Sequence, residues 1–94
     1  MSASLTPTAV LLAAAEASRQ LAAAGATVTG VSLTAASFRL EGTAAGKRLV
    51  VEAVFTARGS AVEAIVTRQA GRSARSRRAT AADHTAAVLA ALTA

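Results

Sequence analysis

Apolar positions recur at helical spacing early in the chain: Val10, Ala14, Ala17, Leu21 and Ala24, flanked by Leu11. The sequence also marks where this helix starts and stops. Thr6 suits an N-cap, and Pro7 suits the first helical position, where its missing N–H costs nothing. Leu5 and Val10 have the spacing of a hydrophobic staple. Gly25 can take the left-handed conformation that closes a helix.

From Thr27 to about Arg68 the pattern becomes that of strands. Arg58-Gly59 reads as a two-residue hairpin loop that pairs Ala57 with Ser60, Phe55 with Val62, Ala53 with Ala64 and Val51 with Val66. One face is then wholly apolar, and a one-residue slip would scramble it. A four-residue loop, Thr43 to Gly46, sets the hairpin before it. That loop pairs Leu40 with Leu49 and Phe38 with Val51, and puts Glu41 opposite Arg48, a favourable cross-strand pair. Val31 and Leu33 have the opposite parity to Phe38 and Leu40. A bulge or kink near Ala35–Ala36 would return them to the core face; the rival reading is a break that makes Thr27–Leu40 two strands.

Thr80-Ala81-Ala82-Asp83 has capping-box spacing, with Asp in place of Glu, and opens a second helix with an apolar stripe of Ala81, Thr85, Val88, Leu89 and Leu92. The expected fold is therefore α+β: one domain over residues 1–94, in the order helix, three-stranded antiparallel meander, helix, with both helices on one face of the sheet. The other face carries Arg39, Glu41, Glu52, Glu63 and Thr67 and leaves Val50, Val54 and Ile65 open to solvent. An apolar centre with a charged rim reads as a protein interface, often that of a homodimer. An antiparallel sheet with one ordinary solvated face fits as well.

Composition narrows the picture. The chain is 53% hydrophobic, but much of that is Ala, whose side chain buries little area; an oligomer would relieve the shortage. Cys is absent, which excludes disulfides, thiolate metal sites and thiol chemistry. Met1 to Ala15 lacks the basic start of a secretory signal, and Glu16 and Arg19 interrupt the apolar run. The uncharged stretch Gln20–Phe38 is too rich in Gly, Thr and Ser to span a membrane. A cytoplasmic protein without membrane association is expected.

Charge changes the picture most. The net charge is +5. Residues 68–78, between the third strand and the second helix, hold Arg68, Arg72, Arg75, Arg77 and Arg78 and no acidic residue. Elsewhere the basic Arg19, Arg39, Lys47, Arg48 and Arg58 balance the acidic Glu16, Glu41, Glu52, Glu63 and Asp83. One concentrated positive element on a neutral domain suggests an anionic partner. Arginines just ahead of a helix N-terminus oppose its dipole by roughly 0.3–1 kcal/mol each. An anion bound there would offset that cost by meeting the free N–H groups and the guanidinium groups together. Arg68, Arg72, Arg75, Arg77, Arg78 and Thr80 thus form a candidate anion site for nucleic-acid phosphates or another polyanion. The plain alternative is a solvated basic loop. There is no Trp or Tyr, and Phe38 and Phe55 fall on the core face, which disfavours sequence-specific single-strand binding by base stacking. Duplex binding through phosphates needs no aromatic residue.

The element order, together with Ser76-Arg77-Arg78, resembles the double-stranded RNA-binding domain, in which a similar run opens the last helix. The resemblance implies phosphate contacts across the major groove by Ser76, Arg77 and Arg78. Leu89 and Leu92 fall where that family has apolar helix positions. The family's paired small residues would fall at His84 and Thr85, and the loop from Gly42 to Gly46 lacks the His that family members often insert into the minor groove.

His84, the single histidine, reads as a half-exposed residue at the edge of the second helix's stripe. It forms no dyad with Asp83, since adjacent helical residues point to different sides. With no second His, no close carboxylate pair and no phosphate-cradling glycine loop, no catalytic residue, metal site, cofactor or small-molecule substrate is indicated. Two functions remain. The first is a non-enzymatic module that binds an anionic partner through the Arg segment. The second is a small structural or interaction protein, an assembly subunit or inhibitor, that docks on a protein partner or self-associates through the open sheet face or an edge strand.

Overall fold

A computed structural model of the chain describes residues 6–93. Helix α1 (Pro7–Ala23) leads into strands β1 (Thr27–Leu33), β2 (Ser37–Ala44), β3 (Lys47–Arg58), β4 (Ala61–Ala70) and β5 (Ser73–Ala81), and helix α2 (His84–Thr93) follows. The strands form one antiparallel meander in the order β1-β2-β3-β4-β5. The class is α+β, with five strands where three were expected.

The signals that bound α1 act as the sequence indicates. Thr6 Oγ1 accepts from the Ala9 N–H at 3.1 Å, and Pro7 starts the helix. At the other end Gly25, at φ +93°, donates to Ala22, while the Ala26 N–H reaches back to the Leu21 carbonyl at 2.9 Å. This pair of bonds is the Schellman closure that a left-handed glycine permits. Leu5, the expected staple partner of Val10, lies outside the described residues.

Both expected hairpins form, each with a register two residues further along. Phe38 pairs with Ala53 and Leu40 with Val51; Phe55 pairs with Ala64 and Val51 with Arg68. Turn geometry accounts for the shift. Gly59 takes the first central position of the β3–β4 loop at φ +59°, with Ser60 second, so Arg58 is spared the positive φ that an Arg58-Gly59 loop would demand. Ala45 and Gly46 both have positive φ and close a two-residue loop, which gains the Thr43–Arg48 and Ala44–Lys47 pairs. Because side chains alternate with period two, a two-residue shift leaves each one on its expected face.

β1 is a separate strand, joined to β2 by a turn in which the Thr34 N–H donates to the Ser37 carbonyl at 2.9 Å. The break near Ala35–Ala36 is therefore real, and the bulge falls instead between Val28 and Gly30. Val31 lies opposite Leu40 and Leu33 opposite Phe38, so both are on the core face. They nevertheless stay exposed, at 53% and 44%.

The second helix differs from expectation. Residues 73–81 extend as β5, and α2 opens at His84. Its cap is Asp83, whose Oδ1 accepts from the Ala86 N–H at 2.7 Å; Thr80 lies in β5 opposite Glu63. The buried stripe of α2 is His84, Ala87, Val88 and Ala91, with Leu89 and Leu92 only half-buried. His84 is buried, contrary to the half-exposed reading; its ring packs 5.0 Å from that of Phe55.

α1 contacts β1 and β2, α2 contacts β4 and β5, and the helices touch each other. Their buried residues join Phe38, Leu40, Val51, Phe55, Val62 and Val66 in one core. Among the described residues no helix is long and apolar enough to cross a membrane.

Candidate anion-binding edge

β5 explains the arginines that the sequence left in a loop. Its turn, Gly71-Arg72, repeats the device of the preceding hairpin: Gly71 at φ +60° takes the first central position, and Ala70 pairs with Ser73 beyond it. Only Ala79 and Ala81 of β5 pack against the core. The rest of the strand is exposed and is held by its ladder to β4.

Alternation then sorts the predicted site residues. Arg68 lies directly opposite Arg75, and Arg77 opposite the buried Val66, so these three share the helix-covered face. With Ala91 and Leu92 of α2 they line an open cavity of about 160 Å³. Arg72 sits at the turn. Arg78 lies opposite Ile65 and Thr80 opposite Glu63, which puts both on the other face and away from the cluster. The run Ser76-Arg77-Arg78, which carries the family resemblance, is split in the same way and lies within β5 rather than at the start of α2. The arginine cluster borders the C-terminal half of α2, where a cation is favourable against the helix dipole. An anion site at the N-terminus of α2 is therefore not formed.

Carboxylates divide the cations into two groups. Arg19 pairs with Glu16; Arg39 with Glu41 at 3.0 Å and Glu52 at 3.5 Å; Arg48 with Glu41 at 3.8 Å; Arg58 and Arg78 with Glu63 at 3.3 and 3.8 Å. Arg68, Arg72, Arg75 and Arg77 have no carboxylate within ion-pair distance among the described residues, and neither does Lys47. Lys47 was not part of the predicted site. It joins because the β2–β3 and β4–β5 turns are neighbours: the Gly71 N–H donates to the Arg48 carbonyl at 2.9 Å, and a Cβ placed on Gly71 would sit 3.5 Å from Lys47 Cδ. Gly71, a hairpin glycine like Gly59, signals in the sequence that a turn is possible, but the pairing that makes β5 and the approach of Lys47 come only with the fold.

The open sheet face is less apolar than expected. Val50 is buried at 8% exposure, between Glu41 and Gln69 in the ladder, and Ile65 is half-buried. Only Val54 of the three is strongly exposed. The other large apolar side chains exposed among the described residues, Leu11, Leu12, Val31 and Leu33, lie elsewhere. His84 Nε2 is buried without a hydrogen-bond partner, and burial holds the imidazole pKa below its ordinary value against a smaller opposing effect of Asp83. Among the described residues no group of three or more His, Cys, Asp or Glu side chains is placed to hold a metal ion. No protein-family model, curated protein or solved structure matches the chain.

Proposed function

We propose that this protein is a non-enzymatic binding module that uses the β5 edge to contact the phosphates of a nucleic-acid duplex. The observation that carries the reading is the Arg68–Arg75 pair. Like charges directly opposite in a ladder are destabilising, and here Arg77 adds a third on the same face, with no carboxylate within ion-pair distance among the described residues. A row of phosphates would neutralise that face by charge-assisted, bidentate hydrogen bonds. Lys47 and Arg72 extend the surface at the turn end. Phe38 and Phe55, the two aromatic residues, are buried at 2% and 3% exposure and present no stacking platform, which favours a duplex over a single strand.

The test is a salt titration of binding to a generic duplex. Affinity should fall steeply with salt through counterion release. Replacing Arg68, Arg75 and Arg77 by Ala should lower the slope by about one for each phosphate left without its arginine. Arg78→Ala, already paired with Glu63, should change it little. A triple variant that binds as well as the wild type would remove this reading.

A further inference from the structure

The other edge of the sheet has the opposite character. β1, Thr27-Val-Thr-Gly-Val-Ser-Leu33, contains no charged residue and no proline. Edge strands are normally protected by charges, prolines, bulges or cover. Here the single bulge lies between Val28 and Gly30, and the segment from Gly30 to Leu33 beyond it is regular. Val31 and Leu33 lie on the core face, yet beside α1 they stay exposed. With Leu11, half-exposed on α1, and Ala14, Ala15 and Ser18 of the same helix, they line an apolar groove of about 360 Å³.

We propose that this edge is a homodimer interface, in which the β1 strands of two copies pair antiparallel across a two-fold axis and join two five-stranded sheets into one. Charge selects the occupant. The groove holds no cation or anion to recognise a charged partner. A second copy cannot pair through β5 without setting Arg75, Arg77 and Arg78 against like charges, so β1 is the edge left for self-association. A two-fold axis makes β1 its own complement: the same Val31, Leu33 and Leu11 cover one another, as an isologous interface requires. In that arrangement the two β5 strands stand about 43 Å apart, nine strand spacings of roughly 4.8 Å, well beyond the ~8 Å screening length at physiological salt. The extra buried area also supplements a core in which small Ala side chains are prominent. The proposal does not depend on what β5 binds.

Sedimentation equilibrium of the full chain should give twice the 9.3 kDa protomer mass. The double variant Val31→Lys, Leu33→Lys should run as a folded monomer, while Val54→Lys on the open face stays dimeric. Because the chain has no cysteine, Ser32→Cys supplies a test in an otherwise native protein: it should form a disulfide-linked dimer on mild oxidation, and Ala74→Cys on the β5 edge should not. A wild type that stays monomeric at millimolar concentration overturns the proposal, including the case in which β1 serves a different protein partner. So does a dimer broken by Val54→Lys but not by the double variant, or equal cross-linking from the two cysteine positions.

Discussion

The two edges of this sheet solve one problem in opposite ways. Both β1 and β5 leave one side of a backbone ladder unpaired, and each edge is flanked by a helix on the core face. β5 carries Arg75, Arg77 and Arg78 and places Arg75 against Arg68, the charges that in the proposed function would meet phosphates and oppose pairing with another copy. β1 carries no charge and exposes Val31 and Leu33 beside Leu11. The contrast teaches that edge protection and ligand recognition can be the same residues. An arginine that keeps a strand from aggregating also offers phosphate a site, and an edge without such residues is open to strand addition.

The largest expected effect comes from removing one edge. A Cβ at Gly42 would lie 1.9 Å from the Thr27 carbonyl oxygen, a backbone atom that cannot step aside. Gly42→Ala should cost about 3 kcal/mol or more, at or above the upper end of ordinary overpacking. Hydrogen exchange should show β1 amides losing protection while β5 amides keep theirs; equal loss at both edges would mean that the sheet responds as one unit.

Next in size is the helix that flanks β5. Asp83→Ala removes the cap of α2 and should destabilise the fold by roughly 0.5–2 kcal/mol in denaturant melts. Thr80→Ala should be close to neutral, because Thr80 is an exposed strand residue. Equal effects would return the cap to Thr80.

Charge reversal at β5 separates stability from binding. Arg75→Glu turns the repulsion with Arg68 into attraction and should raise stability by about 0.2–1 kcal/mol. The same variant should bind duplex far more weakly. A variant that loses both, or neither, would break the link between the like-charge pair and recognition.

The smallest effect concerns His84, packed against Phe55 under α2. Its folded pKa is lowered from 6.5 by burial, so below that value the unfolded chain takes up the proton more readily than the folded one. Stability from the neutral imidazole should be complete above pH 6.5 and decline as pH falls below it. Melts at about pH 7.5 and about pH 5.5 should differ in that direction, and His84→Leu should reduce the difference.

Much of the fold was legible because its signals are local. Thr6, Pro7 and Gly25 bound α1 through hydrogen bonds made within a few residues. Parity assigned Phe38, Val51, Phe55 and Val62 to the core face even though both hairpin registers were two residues off. β5 was not legible. Ser73–Ala81 has low strand propensity and no large apolar side chain, so nothing in its own pattern distinguishes it from a loop.

By itself, then, the sequence determined the first helix, the alternation that fills the core, and the concentration of charge in residues 68–78. Each follows from chemistry between near neighbours or from a period of two or 3.6 residues. Tertiary structure alone decided that Gly71 turns the chain back to make β5, that Asp83 and not Thr80 caps α2, and that Glu63 takes Arg58 and Arg78 while Arg68, Arg75 and Arg77, with Lys47 beside their turn, have no ion-pair partner among the described residues. The reason is that a ladder is held by bonds to another strand, and an ion pair is set by whichever side chain lies across from it. Neither partner is fixed until the strands have met.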